Sequence, residues 1–250
     1  MLVSDYQINT ITMTGDTGLP RIDLTSFFEG LDISETSRVA HAAKTCKDSV
    51  QRRGQVTKRN GRKKVFRKAP FGNQVTVDVR MPYKDGYNLN IKVFGNGKIQ
   101  MTGARTVAQG KEGTDAALAT IGASVSNLQI QLMNCHFRVH YNIDRFKLHT
   151  IVSERYGVES SFIPSIYPGV KMFFMYNTES REPGVCPNKQ PRHVGCPNIK
   201  TKTCCKRITV IAFHTGAVII TGGVSREQVD AAHGWFGEVV TRHKNEIIAS

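Results

Sequence analysis

The sequence predicts an α+β fold: two tandem, pseudo-symmetric repeats that build one curved antiparallel sheet, with helices on its convex face. Three observations carry this prediction. First, a short pattern occurs twice. One copy is Ile91-Lys-Val-Phe94-Gly-Asn-Gly97-Lys-Ile-Gln-Met-Thr102-Gly103, and the other is Val210-Ile-Ala-Phe213-His-Thr-Gly216-Ala-Val-Ile-Ile-Thr221-Gly222. Phe, Gly, Thr and Gly fall at identical offsets, as they would in a duplicated strand–turn–strand unit. Second, several segments alternate apolar and polar residues with the period of a half-buried strand. Third, those segments are interleaved with helical patterns, so helices can cover one face of the sheet and leave the other open.

Taken in order, residues 6–13 alternate as a strand, Gly15 to Pro20 form a turn, and Leu24 to Leu31 form a short helix with Phe27, Phe28 and Leu31 inward. Ser34 to Val50 is expected to be helical, and Arg52 to Lys68, with Gly54, Asn60 and Gly61, a mobile loop. Gln74–Arg80 is a strand, the first pattern copy spans 88–103, and a helix is expected around 114–125. The second half repeats the order: a strand over 128–141, a helix from Asp144 to Arg155, a strand from Val170 to Tyr176, an irregular insert over 178–206, and the second copy over 207–222. Ser225-Arg-Glu-Gln228 reads as a capping box opening a last helix that buries Val229, Ala232, Phe236, Val239 and Val240. The first repeat is thus 1–126, with a basic insertion at 34–68, and the second 127–250, with a cysteine-containing insertion at 178–206.

Charge points to the class of partner. The formal net charge is +14 and the isoelectric point near 9.7, which favours a polyanion, nucleic acid being the commonest. Residues 34–68 hold twelve Lys and Arg against only Glu35 and Asp48; such a block repels itself unless phosphates neutralise it. No apolar run is long enough for a membrane span. The start, Met1-Leu-Val-Ser-Asp-Tyr, has neither a charged n-region nor an apolar h-region, so the chain is expected not to be secreted and its six cysteines to be free thiols. Cys186, Cys196, Cys204 and Cys205 cluster near His193. Their gaps of nine and seven residues followed by an adjacent pair fit the closely spaced ligand pairs of zinc sites poorly. No paired-carboxylate, Ser/His/Asp or phosphate-loop arrangement is evident, so neither an enzyme nor a cofactor is expected.

On the sheet's open face, one parity of the patterned strands places Lys98, Gln100 and Thr102 in one copy and Ala217, Ile219 and Thr221 in the other. This acid-poor mixture suits a minor-groove floor, where A·T pairs offer only acceptors and apolar sugar edges.

At these residues the chain resembles the TATA-box-binding protein family. Phe94-Gly-Asn-Gly97-Lys98-Ile-Gln-Met-Thr102-Gly103-Ala104-Arg105 is similar to the family's Phe-x-x-Gly-Lys-x-x-x-Thr-Gly-Ala-Lys. Phe213-x-x-Gly216-x-x-x-x-Thr221-Gly222 is its second-repeat counterpart, and Ser160-Ser-Phe-Ile-Pro164-Ser-Ile-Tyr167-Pro168-Gly169 matches the family's Ser-Ser-Tyr-x-Pro-x-Leu-Phe-Pro-Gly. The similarity spans most of the chain outside 34–68 and 178–206. It implies a saddle-shaped sheet that binds and bends A/T-rich promoter DNA through its minor groove, nucleating transcription initiation in the nucleus or at a site of viral transcription. Phe94 and Phe213, partnered by Phe71 and Tyr167, would wedge between base steps. Lys98 and Arg105 would meet phosphates, and Thr102 and Thr221 the groove floor. Asn9 and Asn134 lie near the family's paired Asn positions, although the register could instead place Tyr6 or Ile130 there.

Departures are informative. Tyr167 replaces Phe, Gln100 replaces Val, Ala217 and Val224 stand opposite Lys98 and Arg105, and Ile163 and Ser165 stand where the family has Glu residues that contact transcription factor B. General transcription factors and RNA polymerase are implied partners, with the transcription factor B contact altered. The alternatives are a non-specific basic packaging protein and a recognition module related to a nuclease.

Overall fold

The structure is a computed structural model, and it describes residues 2–46, 49–54, 72–83, 86–179, 182–188 and 204–249. Among the described residues the strands hydrogen-bond in the orders β3-β2-β4-β5-β6-β1 and β7-β11-β10-β9-β8, each neighbouring pair antiparallel. The chain folds as two compact units, Thr10–Gln131 and Met1–Asn9 with Leu132–Ser250. Strands β1 (Gln7–Asp16) and β7 (Ser126–Arg138) each contribute to both.

The Thr10–Gln131 unit contains α1 (Leu24–Gly30), β2 (Val39–Cys46), β3 (Ser49–Gly54), β4 (Gln74–Arg80), β5 (Asn88–Phe94), β6 (Lys98–Ala104) and α2 (Val107–Leu118). Helix α2 packs against β4, β5 and β6. Beneath it Val77, Leu89, Ile91, Met101 and Met13 are sealed from solvent, while the residues between them stay half-exposed. Gly110 and Gly113 set the approach: a Cβ at Gly110 would lie 2.1 Å from Met13 Cε, and one at Gly113 2.3 Å from Leu89 Cδ1.

Two sequence expectations are corrected here. The segment Ser34 to Val50 is not a helix; it supplies β2 and the start of β3. Alanine is the best helix former, but its preference is worth under about 1 kcal/mol per residue, and pairing of β2 with both β3 and β4 overrides it. The helix expected around 114–125 instead begins at Val107. Thr106 caps it by accepting from Gln109 N at 3.1 Å, and Gln109 Oε1 reaches back to Arg105 N at 3.2 Å. That capping box, worth about 1 kcal/mol, and the close packing at Gly110 and Gly113 together offset the cost of about 1 kcal/mol that each interior glycine imposes. The loop expected over Arg52 to Lys68 falls outside the described residues from position 55 onward.

The other unit contains α3 (Arg145–Glu154), β8 (Ser160–Ser161), β9 (Val170–Tyr176), β10 (Lys206–Ala212), β11 (Ala217–Gly223), α4 (Arg226–Arg242) and α5 (Lys244–Ile247). Helix α4 covers β9, β10 and β11, burying Val229, Ala232, Phe236, Val239 and Val240 against Met172, Ile208, Val210 and Ile220. Ser225 caps α4 through Gln228 N, and Gln228 Oε1 accepts from Val224 N at 2.9 Å. Each unit therefore has helices on one face of its strands, the α+β arrangement predicted.

Candidate nucleic-acid interface

Among the described residues, each unit leaves one sheet face without a helix. In the Thr10–Gln131 unit, strand register aligns Thr12, Thr102, Asn90 and Asp78 in one row and Thr14, Gln100, Lys92 and Thr76 in the next. Thr12 and Thr102 hydroxyls lie 3.2 Å apart, and Asn90 Nδ2 donates to Asp78 Oδ1 at 2.7 Å. In the other unit the rows are Asn134, Thr221, Thr209 and Phe173, then His136, Ile219, Ile211 and Lys171. Thr221 donates to Asn134 Oδ1 at 2.5 Å. The side chains named for this surface, Gln100, Thr102, Ile219 and Thr221, are all half-exposed.

The tips of the two hairpins share a backbone. Gly97 N donates to Phe94 O at 3.0 Å, and Gly216 N to Phe213 O at 3.0 Å. Both glycines have φ +76°, and a Cβ at either would lie 2.1 Å from a carbonyl oxygen, that of Leu19 or Val139. Only glycine fits such a left-handed position against another strand. One turn further on, Gly103 and Gly222 bulge at φ 113° and 102°, where the partner strands shift register.

Neither Phe94 nor Phe213 is sealed beneath a helix; both are half-exposed. Phe213 lies beside Tyr167, with ring centroids 6.0 Å apart at 57°. Gly169 makes room for the pair, since a Cβ there would come within 3.1 Å of both ring edges and 2.7 Å of Ile211 Cγ2. Lys171 Nζ stands 4.4 Å over the Tyr167 ring. Phe71, named as the partner of Phe94, lies outside the described residues.

The basic groups are more engaged than their sequence positions indicate. Lys98 forms an ion pair with Asp16 across β6 and β1, and this bond holds the Asp16 carboxyl below the usual range. Arg105 sits 4.8 Å over the Tyr87 ring. Within the basic insertion, Arg38 pairs with Glu112 at 2.9 Å, Lys44 bonds the Thr25 hydroxyl, and Arg53 caps α1 through the carbonyls of Phe28 and Glu29 at 2.6 and 2.7 Å. Part of that block is therefore satisfied within the protein rather than by phosphates.

Tyr6 donates to Asp230 at 2.6 Å and packs edge-on against His233, both on α4. Burial and Asp230 push its hydroxyl up to about 12. Tyr6 is thus engaged on the helix-covered side of its unit, while Asn9 is exposed. Thr12 takes the position opposite Thr102 that Asn134 takes opposite Thr221. Lys171 and Ile211 were not singled out from the sequence, although parity within β9 and β10, counted from the wedge residues, was the available signal. Ile163 and Ser165 are exposed, as is Ile166 at 78%.

Three of the four insert cysteines gather in space. The sulfurs of Cys186, Cys204 and Cys205 all lie within 4.8 Å of one another. Cys196 and His193 lie outside the described residues.

No protein-family model matches the chain. A mimivirus protein described as TATA-box-binding protein-like, from Acanthamoeba polyphaga mimivirus, is 23% identical over 269 residues, covering 98% of this chain and 68% of its own. The structure of Methanococcus jannaschii TBP superposes with a TM-score of 0.56 at 15% identity, covering 96% of this chain and 99% of the archaeal one. The chain is thus similar in sequence to the first and shares its fold with the second.

Proposed function

We propose that the chain binds double-stranded DNA through the minor groove of A/T-rich promoter elements and bends it, acting in transcription initiation. Phe213 beside Tyr167 carries this reading. Two aromatic rings stand half-exposed at a hairpin tip, next to a helix-free face of Thr, Asn and Ile with Lys171 alongside. Inserting such rings partly unstacks a base step at a cost of a few kcal/mol, which contact along the opened groove repays. Pyrimidine–purine steps such as TA kink most readily, so sequence preference can arise without major-groove contacts.

The residues then divide by role. Phe94 and Phe213, with Phe71 and Tyr167, are the wedges of the repeats 1–126 and 127–250. Thr102, Thr221, Asn9, Asn134, Gln100 and Ile219 meet base and sugar edges. Arg105 and Lys98 meet phosphates, Lys98 after giving up Asp16. The mimivirus relative's name supports the promoter reading over non-specific packaging. Ile163 and Ser165 stand where the family has Glu, and both are exposed beside the exposed Ile166, so a partner there would be recognised by apolar contact. General transcription factors and polymerase are the partners this role requires, at the nucleus or a viral transcription site.

The test is competition binding at fixed salt between a TATA-containing duplex and a G·C-rich duplex of equal length, with the bend read by fluorescence energy transfer between labelled ends. Preference for the first duplex together with a defined bend is expected. Equal affinity without a bend would leave the packaging alternative.

A further inference from the structure

We propose that Cys186, Cys204 and Cys205 form a thiolate site for a d¹⁰ cation, Zn²⁺ in particular, which closes the base of the long connection between β9 and β10. The sulfurs of Cys186 and Cys204 are 3.4 Å apart, and those of Cys204 and Cys205 3.3 Å. These are not disulfide separations, which are about 2.05 Å. They approach the spacing of about 3.8 Å that tetrahedral zinc with bonds of about 2.3 Å imposes on its sulfurs.

The fold builds the cluster from both ends of the connection. Register pairs Lys206 with Tyr176, so Cys204 and Cys205, just before β10, stand beside the end of β9. Cys186 is returned to the same place by Gly184, whose carbonyl accepts from Met175 N at 3.0 Å. Gly184 has φ +85°, and a Cβ there would lie 2.9 Å from Phe174 Cδ2 and 3.0 Å from Val158 Cγ2. Only glycine lets this turn dock so closely.

The surroundings suit a metal–thiolate centre. Cys186 and Cys205 are buried beside Met175, with Phe173 packed against the cluster. Asn188 Nδ2 donates to Cys204 Sγ at 3.3 Å, and Asn177 Nδ2 approaches Cys205 Sγ at 3.7 Å and Cys204 Sγ at 3.9 Å. Amide donors of this kind orient and stabilise thiolates around a metal. Binding the cation would displace the thiol protons to solvent. Three thiolates and one Zn²⁺ leave a single net negative charge facing these amides. A cleft lined by Asn177, Glu179, Asn188, Cys204 and Cys205 adjoins the sulfurs and gives a water or further donor room as fourth ligand.

The test starts from the full chain, reduced, exposed to Zn²⁺ alone and desalted. Elemental analysis is expected to find one zinc per chain, and none in Cys186→Ser/Cys205→Ser. Replacing zinc with Co²⁺ should produce a thiolate-to-metal charge-transfer band that weakens with each cysteine removed. In the wild type, bound Zn²⁺ should shield these thiols from a thiol-reactive dye until a chelator is added, a readout that needs no variant to fold. The site is overturned if the wild type retains no zinc, if the double variant retains as much, or if rapid alkylation of the purified protein reveals a disulfide among the three. The DNA assay above is separate, so failure of either reading leaves the other standing.

Discussion

The two units use one scaffold to present two different faces. Asp23 and Asp144 cap α1 and α3 with identical backbone angles, φ −72° and ψ 103°. Thr106 and Ser225 open α2 and α4 with the same reciprocal glutamine bond, and the hairpin glycines share φ +76°. On the helix-free side the equivalence ends. The row Thr14, Gln100 and Lys92 in one unit answers to His136, Ile219 and Ile211 in the other. At the edge, the Asp16–Lys98 pair answers to Arg138 and Ala217. Backbone-determining positions are thus duplicated while the face has diverged: one unit carries an ion pair and the polar row of Gln100 and Lys92, the other the apolar pair Ile219 and Ile211. Under the proposed function the second face is the better minor-groove floor, because it desolvates without breaking an ion pair.

The largest expected effect tests the shared scaffold. Gly97→Ala and Gly216→Ala should each destabilise by more than about 2 kcal/mol, since both force a Cβ onto a carbonyl in a left-handed conformation. Denaturant midpoints that moved for only one of them would break the equivalence of the units.

Next comes the difference between the faces. Phe213→Ala with Tyr167→Ala should weaken binding to a TATA-containing duplex by about 1–3 kcal/mol and flatten the bend, the range that ring–base stacking contributes. Phe94→Ala alone should do less, because Gln100, Lys92 and Asp16 already tax desolvation on that side. A bend unchanged by the double substitution would mean the wedges are misassigned.

Asp16→Asn should act in the opposite direction. Lys98 gains freedom to reach a phosphate, affinity rises modestly, and the slope of log K against log salt steepens by about 0.9 for one added contact. An unchanged slope would mean that Lys98 stays off the DNA.

The smallest effect concerns acid stability. Glu246 on α5 accepts from Arg155 at 2.7 and 2.9 Å and from His243 at 2.7 Å, which lowers its carboxyl from 4.5 to about 2. A depressed carboxylate stabilises the fold above its unfolded value and loses that contribution as pH falls from about 4.5 toward 2. Glu246→Gln should therefore reduce stability slightly at neutral pH and leave little difference near pH 2, as thermal melts across that range would report. A constant difference at all pH values would mean that the glutamate acts through packing alone.

Much of the fold was legible in the chain. Strands β4 and β9 begin and end where alternation put them, and every residue named for the inner face of α4 is buried. Misreadings came where local preference competed with pairing. The alanine-rich stretch around Ala42 became a strand because β3 and β4 supply its hydrogen bonds, and α2 began early because Gly110 and Gly113 serve close packing. The candidate face was legible in part: the pairing of Phe213 with Tyr167 followed from family resemblance, whereas the Asp16–Lys98 pair joins residues too far apart in sequence for any local pattern to reveal.

Period, caps and obligatory glycines are properties of neighbouring residues, so the amino-acid order alone determined the repeated strand–turn–strand units, their helices and the positive charge. Which charges are free, which rings meet and which thiols gather depend on strand register and on where a β9–β10 connection returns. Those are set by hydrogen bonding and packing between distant segments, and so only the tertiary structure decided that Lys98 is held by Asp16 and that Cys186 meets Cys204 and Cys205.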